Sequence, residues 1–296
     1  LLSLAPAACS DNKDQPIADG SPSSANGASD ALPSSVDAES DASAFPEGAP
    51  TDASALSMFA AGATQAAVMA AVPGFAAQSG FTVVLTFGSA GALRDRILTG
   101  TSGADVAIVT PAVVTALDAK SLVHAGSRVD LAQVGGGLAV RSGDALPDIS
   151  DSDKFKAALL AADEIYYADP ILATAGAAFI KNCMTLGIAD TCAAAPAGKG
   201  HFSAGGAEAM ATMALSTATT VVGSAQISEI KATSGVELVG EYPAAPVNLK
   251  VTTVYTAIIV EGTPNLARAQ TLVDYLSGDA FMTELAKFGF VPVPDP

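Results

Sequence analysis

The stretch TFGSAGALRDRI, residues 86–97, decides the reading of this chain. It leaves a β-branched apolar run, FTVVL (81–85), passes through Gly88-Ser89-Ala90-Gly91, and carries no charge until Arg94. Then it takes helical spacing. A strand that turns into a helix through residues this small leaves the first backbone N–H groups of the helix uncovered. Those donors, at the positive end of the helix dipole, are suited to hold an anion. The same design recurs at AAGAT (60–64), ATAG (173–176) and SAGGA (203–207). Each alone reads equally as a tight β-α turn; four in one chain point to a shared purpose.

Around this stretch the elements alternate. ALSMFA (55–60) reads as a strand, GAT (62–64) as a turn, and Gln65 to Gln78 as a helix bent or broken at Pro73. FTVVLTF (81–87) and DVAIVT (105–110) read as strands, with Pro111 in the first turn of the next helix. Strand and helix alternating at this pitch predict parallel β-α-β units. GGGLAVR (135–141) is a Gly-rich run into an extended segment, and EIYYADP (164–170) a further strand. TTVVGSAQISEIK predicts a strand, a turn and a short helix, GHFSAGGAEAMATMAL a loop and a helix, and NLKVTTVYTAIIV (248–260) a long strand. Two helices follow, up to Phe288-Gly289-Phe290.

The chain has 296 residues and a net charge of −16, with 50% hydrophobic residues, 5% aromatic and no Trp. Residues 1–53 carry nine acids and one base, Lys13; the remaining 21 acids and 13 bases make the rest of the chain equally negative. Nucleic acid and anionic lipid are poor partners for such a surface, since both are bound through Lys and Arg. The first residues, LLSLAPAACS, read as the end of a secretory signal with Cys9 as a candidate lipidation site, although Pro6 stands where an aliphatic residue is usual. An ordinary signal with a chance cysteine is the other reading. Ser10 to Asp52 is Ser, Ala, Asp, Pro and Gly with few large apolar residues, an acidic linker unable to bury a core. Cys183 and Cys192, nine apart across Gly187, predict a disulfide in an oxidising compartment; two buried thiols are the alternative. The uncharged run from Ala53 to Leu93 is broken by Pro73-Gly74, Gln78-Ser79-Gly80 and Gly88, so it reads as strand, helix and strand, not as a membrane span.

Catalytic signatures are missing. The residue two before Ser89 is Phe87, so no nucleophile elbow exists, and AGKGHFS lacks the pattern of a phosphate loop. The two histidines, His124 and His201, have no metal-ligand spacing. Asp169 before Pro170 reads as a turn cap. No carboxylate pair stands out, and the expectation is a chain that is not an enzyme and needs no cofactor.

The order of these motifs resembles the periplasmic molybdate-binding proteins, the type II solute-binding components of ABC importers. The matching pieces are SMFAAGATQAA, TFGSAGALRDRILTGTSGADVAIVT, YADPILATAGAAF and VDYLSGDAFMTELAKFGFVP, spanning about Ala55 to Pro294. The resemblance implies an α/β fold of two lobes, 54–138 with 252–296 and 139–251, each a mixed sheet flanked by helices, joined by two hinge crossovers. It implies a small anion, a molybdate-like oxyanion or small organic acid, held between the lobes by backbone N–H groups and neutral side chains. It also implies an ABC permease as membrane partner, a monomer, and a periplasmic or extracytoplasmic location, tethered if Cys9 is lipidated. A sensor or accessory module of the same fold is the alternative. The ligand-binding positions fall on Ala63 and Thr64, Ser89 and Ala90, Thr174 and Ala175, and Gln226. Two of the family's usual hydroxyls are replaced by Ala63 and Ala90, and a usual Tyr by Gln226. A lost donor to a charged acceptor costs about 1.5–3 kcal/mol, so a changed or broadened ligand is expected.

Overall fold

The computed structural model describes residues 55–294; Cys9 and the acidic linker lie outside them. The first part of the chain runs β1 (Ala55–Ala61), a 3-10 turn (Gly62–Thr64), α1 (Gln65–Ser79), β2 (Thr82–Gly88), α2 (Ala90–Leu98), β3 (Val106–Val109) and α3 (Pro111–Asp118). Next come β4 (Val129–Arg141), α4 (Ser152–Ala161), β5 (Glu164–Ala168), α5 (Thr174–Thr185), α6 (Ala189–Cys192), β6 (Gly200–Ser203) and α7 (Gly206–Ala214). The last part is β7 (Val221–Gln226), α8 (Ile227–Ala232), β8 (Val236–Glu241), β9 (Thr252–Ile259), α9 (Leu266–Leu276) and α10 (Asp279–Lys287).

These strands form one mixed sheet in the order β2-β1-β3-β9-β4-β7-β5-β6, with β8 also on β4. The β1–β2 and β1–β3 pairs are parallel, as the alternation of strand and helix predicts, while β9 returns antiparallel between β3 and β4. β4 belongs to both halves of the sheet. Its first half, to Gly135, pairs with β9; from Gly136 onward it pairs with β7 and β8. Helices cover both halves. Leu56, Met58, Phe75, Leu272, Val273 and Phe281 form the main core of the first half. Leu138, Phe155, Ile165, Tyr167, Phe179 and Tyr242 form that of the second, with the Phe155 ring edge-on to Tyr242 at 5.4 Å.

Four local readings differ from the structure. Pro73 lies inside α1 without ending it. Ala67, Val68 and Ala71 before it and Phe75 after it are all buried in the same core, so packing offsets the backbone bond that proline cannot donate. Residues 200–203 are a strand, β6, at the sheet edge beside β5. β7 passes into α8 with no intervening turn, and the last strand begins at Thr252, not at 248.

Cys183 and Cys192 are joined to each other, with Cα atoms 6.4 Å apart, tying α5 to α6 within the second core. Among the described residues no helix is long and apolar enough to cross a membrane. Closing a loop this short removes unfolded-state entropy worth about 2.5 kcal/mol. Reduction should therefore lower the stability measured by urea unfolding by about that amount, and the double replacement Cys183→Ser, Cys192→Ser should make the protein insensitive to reductant.

Candidate functional site

Parallel strands deliver their C-terminal ends, and the helix starts that follow, to one edge of the sheet. The register of β1 and β2 sets Ala61 opposite Gly88, which brings the 62–64 turn beside the start of α2. On the other side, Asp169 folds the turn between β5 and α5. Its Oδ1 accepts from Ile171 N at 2.7 Å and Leu172 N at 3.0 Å, and its carbonyl accepts from Ala173 N at 2.9 Å. That turn reaches across to the first half of the protein: Gly91 N donates to Leu172 O at 2.9 Å. A Cβ at Gly91 would sit 2.7 Å from that oxygen, so only glycine permits the approach. The start of α2 is therefore in direct contact with the turn that leads into α5.

The predicted residues occupy this region in different states. Ala63 and Ala90 are each 7% exposed and present only methyl groups and main chain. Thr64 is buried, and its hydroxyl donates to Ala61 O at 2.8 Å, so its proton is spent within the turn. Ser89 caps α2, its Oγ accepting from Ala92 N at 3.4 Å, which leaves the hydroxyl proton able to turn toward a ligand. Thr174 is the first residue of α5, half-buried, with Ala175 buried behind it. Gln226 lies deep where β7 ends beside Gly136. Its Nε2 donates to Thr253 Oγ1 at 2.8 Å and its Oε1 has no hydrogen-bond partner.

The fourth small-residue helix start does not have the open donors its sequence suggests. At α7, Gly206 N donates to Oε1 of Glu229 at 3.2 Å, and Ala207 N also bonds the carboxylate. Gln226 N donates to its Oε2 at 3.1 Å. Glu229 thus sits on the starts of α7 and α8 at once and faces Gly62, whose Cβ position lies 3.4 Å from Oε1. A side chain at Gly206 would meet the carboxylate directly. Burial pushes the Glu229 carboxyl up to about 7, against the pull of those backbone N–H groups. The reading of the sequence did not single out Glu229. The available signal was Gln226-x-x-Glu229 at the end of a β-branched run, the N-cap to N3 spacing at which a carboxyl returns to the helix start. His201 is not in the cleft; it lies on β6, stacked on Tyr166 at 5.0 Å.

Known structures share this architecture. The Azotobacter vinelandii periplasmic molybdate-binding protein superposes with a TM-score of 0.66 at 22% identity, over 81% of this chain and 100% of that one. The sulfate-binding protein SubI from Mycobacterium tuberculosis H37Rv superposes with a TM-score of 0.65 at 14% identity, over 81% of this chain and 87% of that one. For the tungstate ABC transporter protein from Geobacter sulfurreducens the TM-score is 0.58 at 12% identity, over 78% and 97%. At these identities the likeness is one of fold.

A sequence relative corrects one expectation. A protein named aconitate isomerase, from a Pseudomonas species, is 28% identical over 200 residues, 64% of this chain and 68% of that protein. The expectation that the chain is not an enzyme does not survive that relative. The missing nucleophile elbow, metal set and carboxylate pair do not exclude chemistry, because proton transfer can be carried by a single group. The family model described as bacterial extracellular solute-binding protein matches residues 56–291. With that match over most of its length, and with this fold, the chain belongs to the bacterial extracellular solute-binding proteins.

Proposed function

We propose that the chain captures a small anion, an oxyanion or a small organic acid, in the cleft between the two halves of its sheet and presents it to an ABC permease. One observation carries the reading: the starts of α2 and α5 meet across the cleft through Gly91 and Leu172, beside the 62–64 turn, with small or neutral residues at each loop. Gly91 N and Ala92 N are already bonded within the protein, so the donors on offer are Ala90 N at α2, the first N–H groups of α5, and the hydroxyls of Ser89 and Thr174. An anion bridging the two helix starts stabilises the closed arrangement, because it gains donors from both sides at once. The anions after which the molybdate, sulfate and tungstate proteins of like fold are named support this reading.

Within the anion class an organic acid fits best. Ala63 and Ala90 offer no hydroxyl, and Thr64 has used its own. Two such donors missing at about 1.5–3 kcal/mol each weaken the hold on a bare tetrahedral dianion by orders of magnitude. A carboxylate needs fewer donors, and the rest of an organic ligand contributes apolar contact.

A thermal-shift screen of molybdate, tungstate, sulfate and small di- and tricarboxylates should give its largest stabilisation with a carboxylate. If no anion raises the melting temperature, the capture reading falls. Gly91→Ala should hold the turn at Leu172 away from α2 and weaken the best ligand at least tenfold by calorimetry, with the melting temperature of the free protein little changed.

A second reading has its own support, the isomerase-named relative together with the raised pKa of Glu229. On it, the bound ligand is an unsaturated acid, and a proton leaves the carbon at one end of the allylic system and returns at the other. Proton NMR of cis- and trans-aconitate incubated with the protein in deuterated buffer should then show interconversion with deuterium uptake. Binding without either, over hours, eliminates this reading.

A further inference from the structure

Beside Glu229 lies a cavity of about 190 Å³, open between the two halves of the protein. Ala63, Ala66 and Met69 line it from one side, and Ala207, Ser228 and Glu229 from the other. The volume is well above the ~15 Å³ that a single water needs. Two features mark it as more than a packing defect. Ser228 is 1% exposed, yet its Oγ has no hydrogen-bond partner. A buried hydroxyl is rarely left so unless something outside the chain meets it. The second is Glu229, a buried carboxylate held by main-chain donors alone, with no basic side chain acting on it. Gln65 and Thr233 add neutral polar groups to the lining, but the methyl groups of four alanines and the Met69 thioether make up most of the rest, which suits a carbon skeleton better than a hydrated inorganic ion.

We propose that this cavity, which opens beside the 62–64 turn, receives the carbon skeleton and the proton-bearing end of a small organic acid, which shares one proton with Glu229 and a hydrogen bond with Ser228 Oγ. This rests on the anion-capture reading and extends it, making uptake of the ligand also uptake of a proton. The proton comes from solvent, no bond to carbon is made or broken, and each complex gains one.

Other groups do not blur the effect. Tyr242 and Tyr255 lie within reach of the field of Glu229, and burial pushes both phenols up, Tyr242 to about 12, so both stay neutral near pH 7. On the helices, Glu208 of α7 is exposed, its carboxylate accepting from Ala204 N, and Lys231 of α8 is exposed and reaches Lys287 O. On the strands packed against α8, Arg141 pairs with Asp144, Glu241 with Lys250 and Asp130 with Arg128. Glu237 of β8 is exposed, and none of these acts on the Glu229 carboxyl. The 62–64 turn and α1 carry no titratable side chain.

The sign follows. Free Glu229 titrates at about 7, and a second carboxyl alongside raises that value further, since two such groups share a single proton. Between the two values the free protein is ionised and the complex protonated. Affinity is then full below pH about 7 and falls as pH rises above it, by up to about tenfold per pH unit.

Isothermal titration calorimetry on the full chain tests this, with tricarballylate, trans-aconitate and malate as probes and molybdate and sulfate in parallel. Measured at pH 8 in buffers of different ionisation enthalpy, the best acid should take up close to one proton and bind several-fold more weakly than at pH 7. Glu229→Gln should abolish the uptake. Ala66→Leu, which fills the cavity, should keep the melting temperature and weaken the acid at least tenfold. Should Glu229→Gln fail to fold, the wild-type uptake and Ala66→Leu still decide. An acid that binds without proton exchange, or binds Ala66→Leu unchanged, overturns the proposal. Molybdate or sulfate binding with no acid binding overturns it too and leaves anion capture standing. If no anion of either class binds, anion capture itself fails and this proposal with it.

Discussion

Glu229 has its charge met only by backbone N–H groups at the starts of α7 and α8, and it faces Gly62 on the opposite half of the protein. Much of the cleft follows from that contact. Gly206 must be glycine for the carboxylate to reach it. With α7 and α8 bound to one side chain, the wall beneath the 62–64 turn is fixed by a single residue. The arrangement carries opposing costs. Removal from water disfavours the ionised form, and the aligned donors favour it. The balance leaves the carboxyl pushed up to about 7, on the wall where we propose that an organic acid binds.

The opposite wall depends on a bond between main chains. Asp169 folds its turn so that Leu172 O reaches Gly91 N, and the helix starts of α2 and α5 come together with no basic side chain between them. Fixed dipoles of this kind need little rearrangement when a ligand arrives, unlike long flexible cations. The acidic surface of the chain does not obstruct this, because the relevant field is local to the helix ends.

Much of the fold was legible in the sequence. β1, β2, β3 and the helices after them were marked by β-branched runs, small-residue turns and Pro111, and the mixed α/β architecture followed from their alternation together with the family resemblance. Pro73 misled because local propensity sees a lost hydrogen bond and not the core that α1 covers on both sides of it. β6 was missed because four residues at a sheet edge carry too short a pattern to register. In the site, the small-residue helix starts were visible but their occupancy was not. Nothing near SAGGA says that a carboxylate from more than twenty residues later closes it. Likewise Thr64 reads as a donor until its hydroxyl is seen bonded to Ala61. Sequence names the groups present, whereas which are already partnered depends on tertiary contacts.

β4 threads the whole molecule, exchanging β9 for β7 and β8 as neighbours between Gly135 and Gly136. A ribbon shared in this way resists sliding, since any shift in register would break ladders at both ends together, but it still permits bending where the partners change. The chain crosses back just before β9, where Val251 O accepts from Gly136 N at 3.0 Å, so the two connections between the halves lie side by side. Those two glycines are also packing positions, since a Cβ at Gly135 would lie 2.7 Å from Glu241 and one at Gly136 2.5 Å from the Tyr242 ring, so the place where partners change is kept free of side chains by the end of β8.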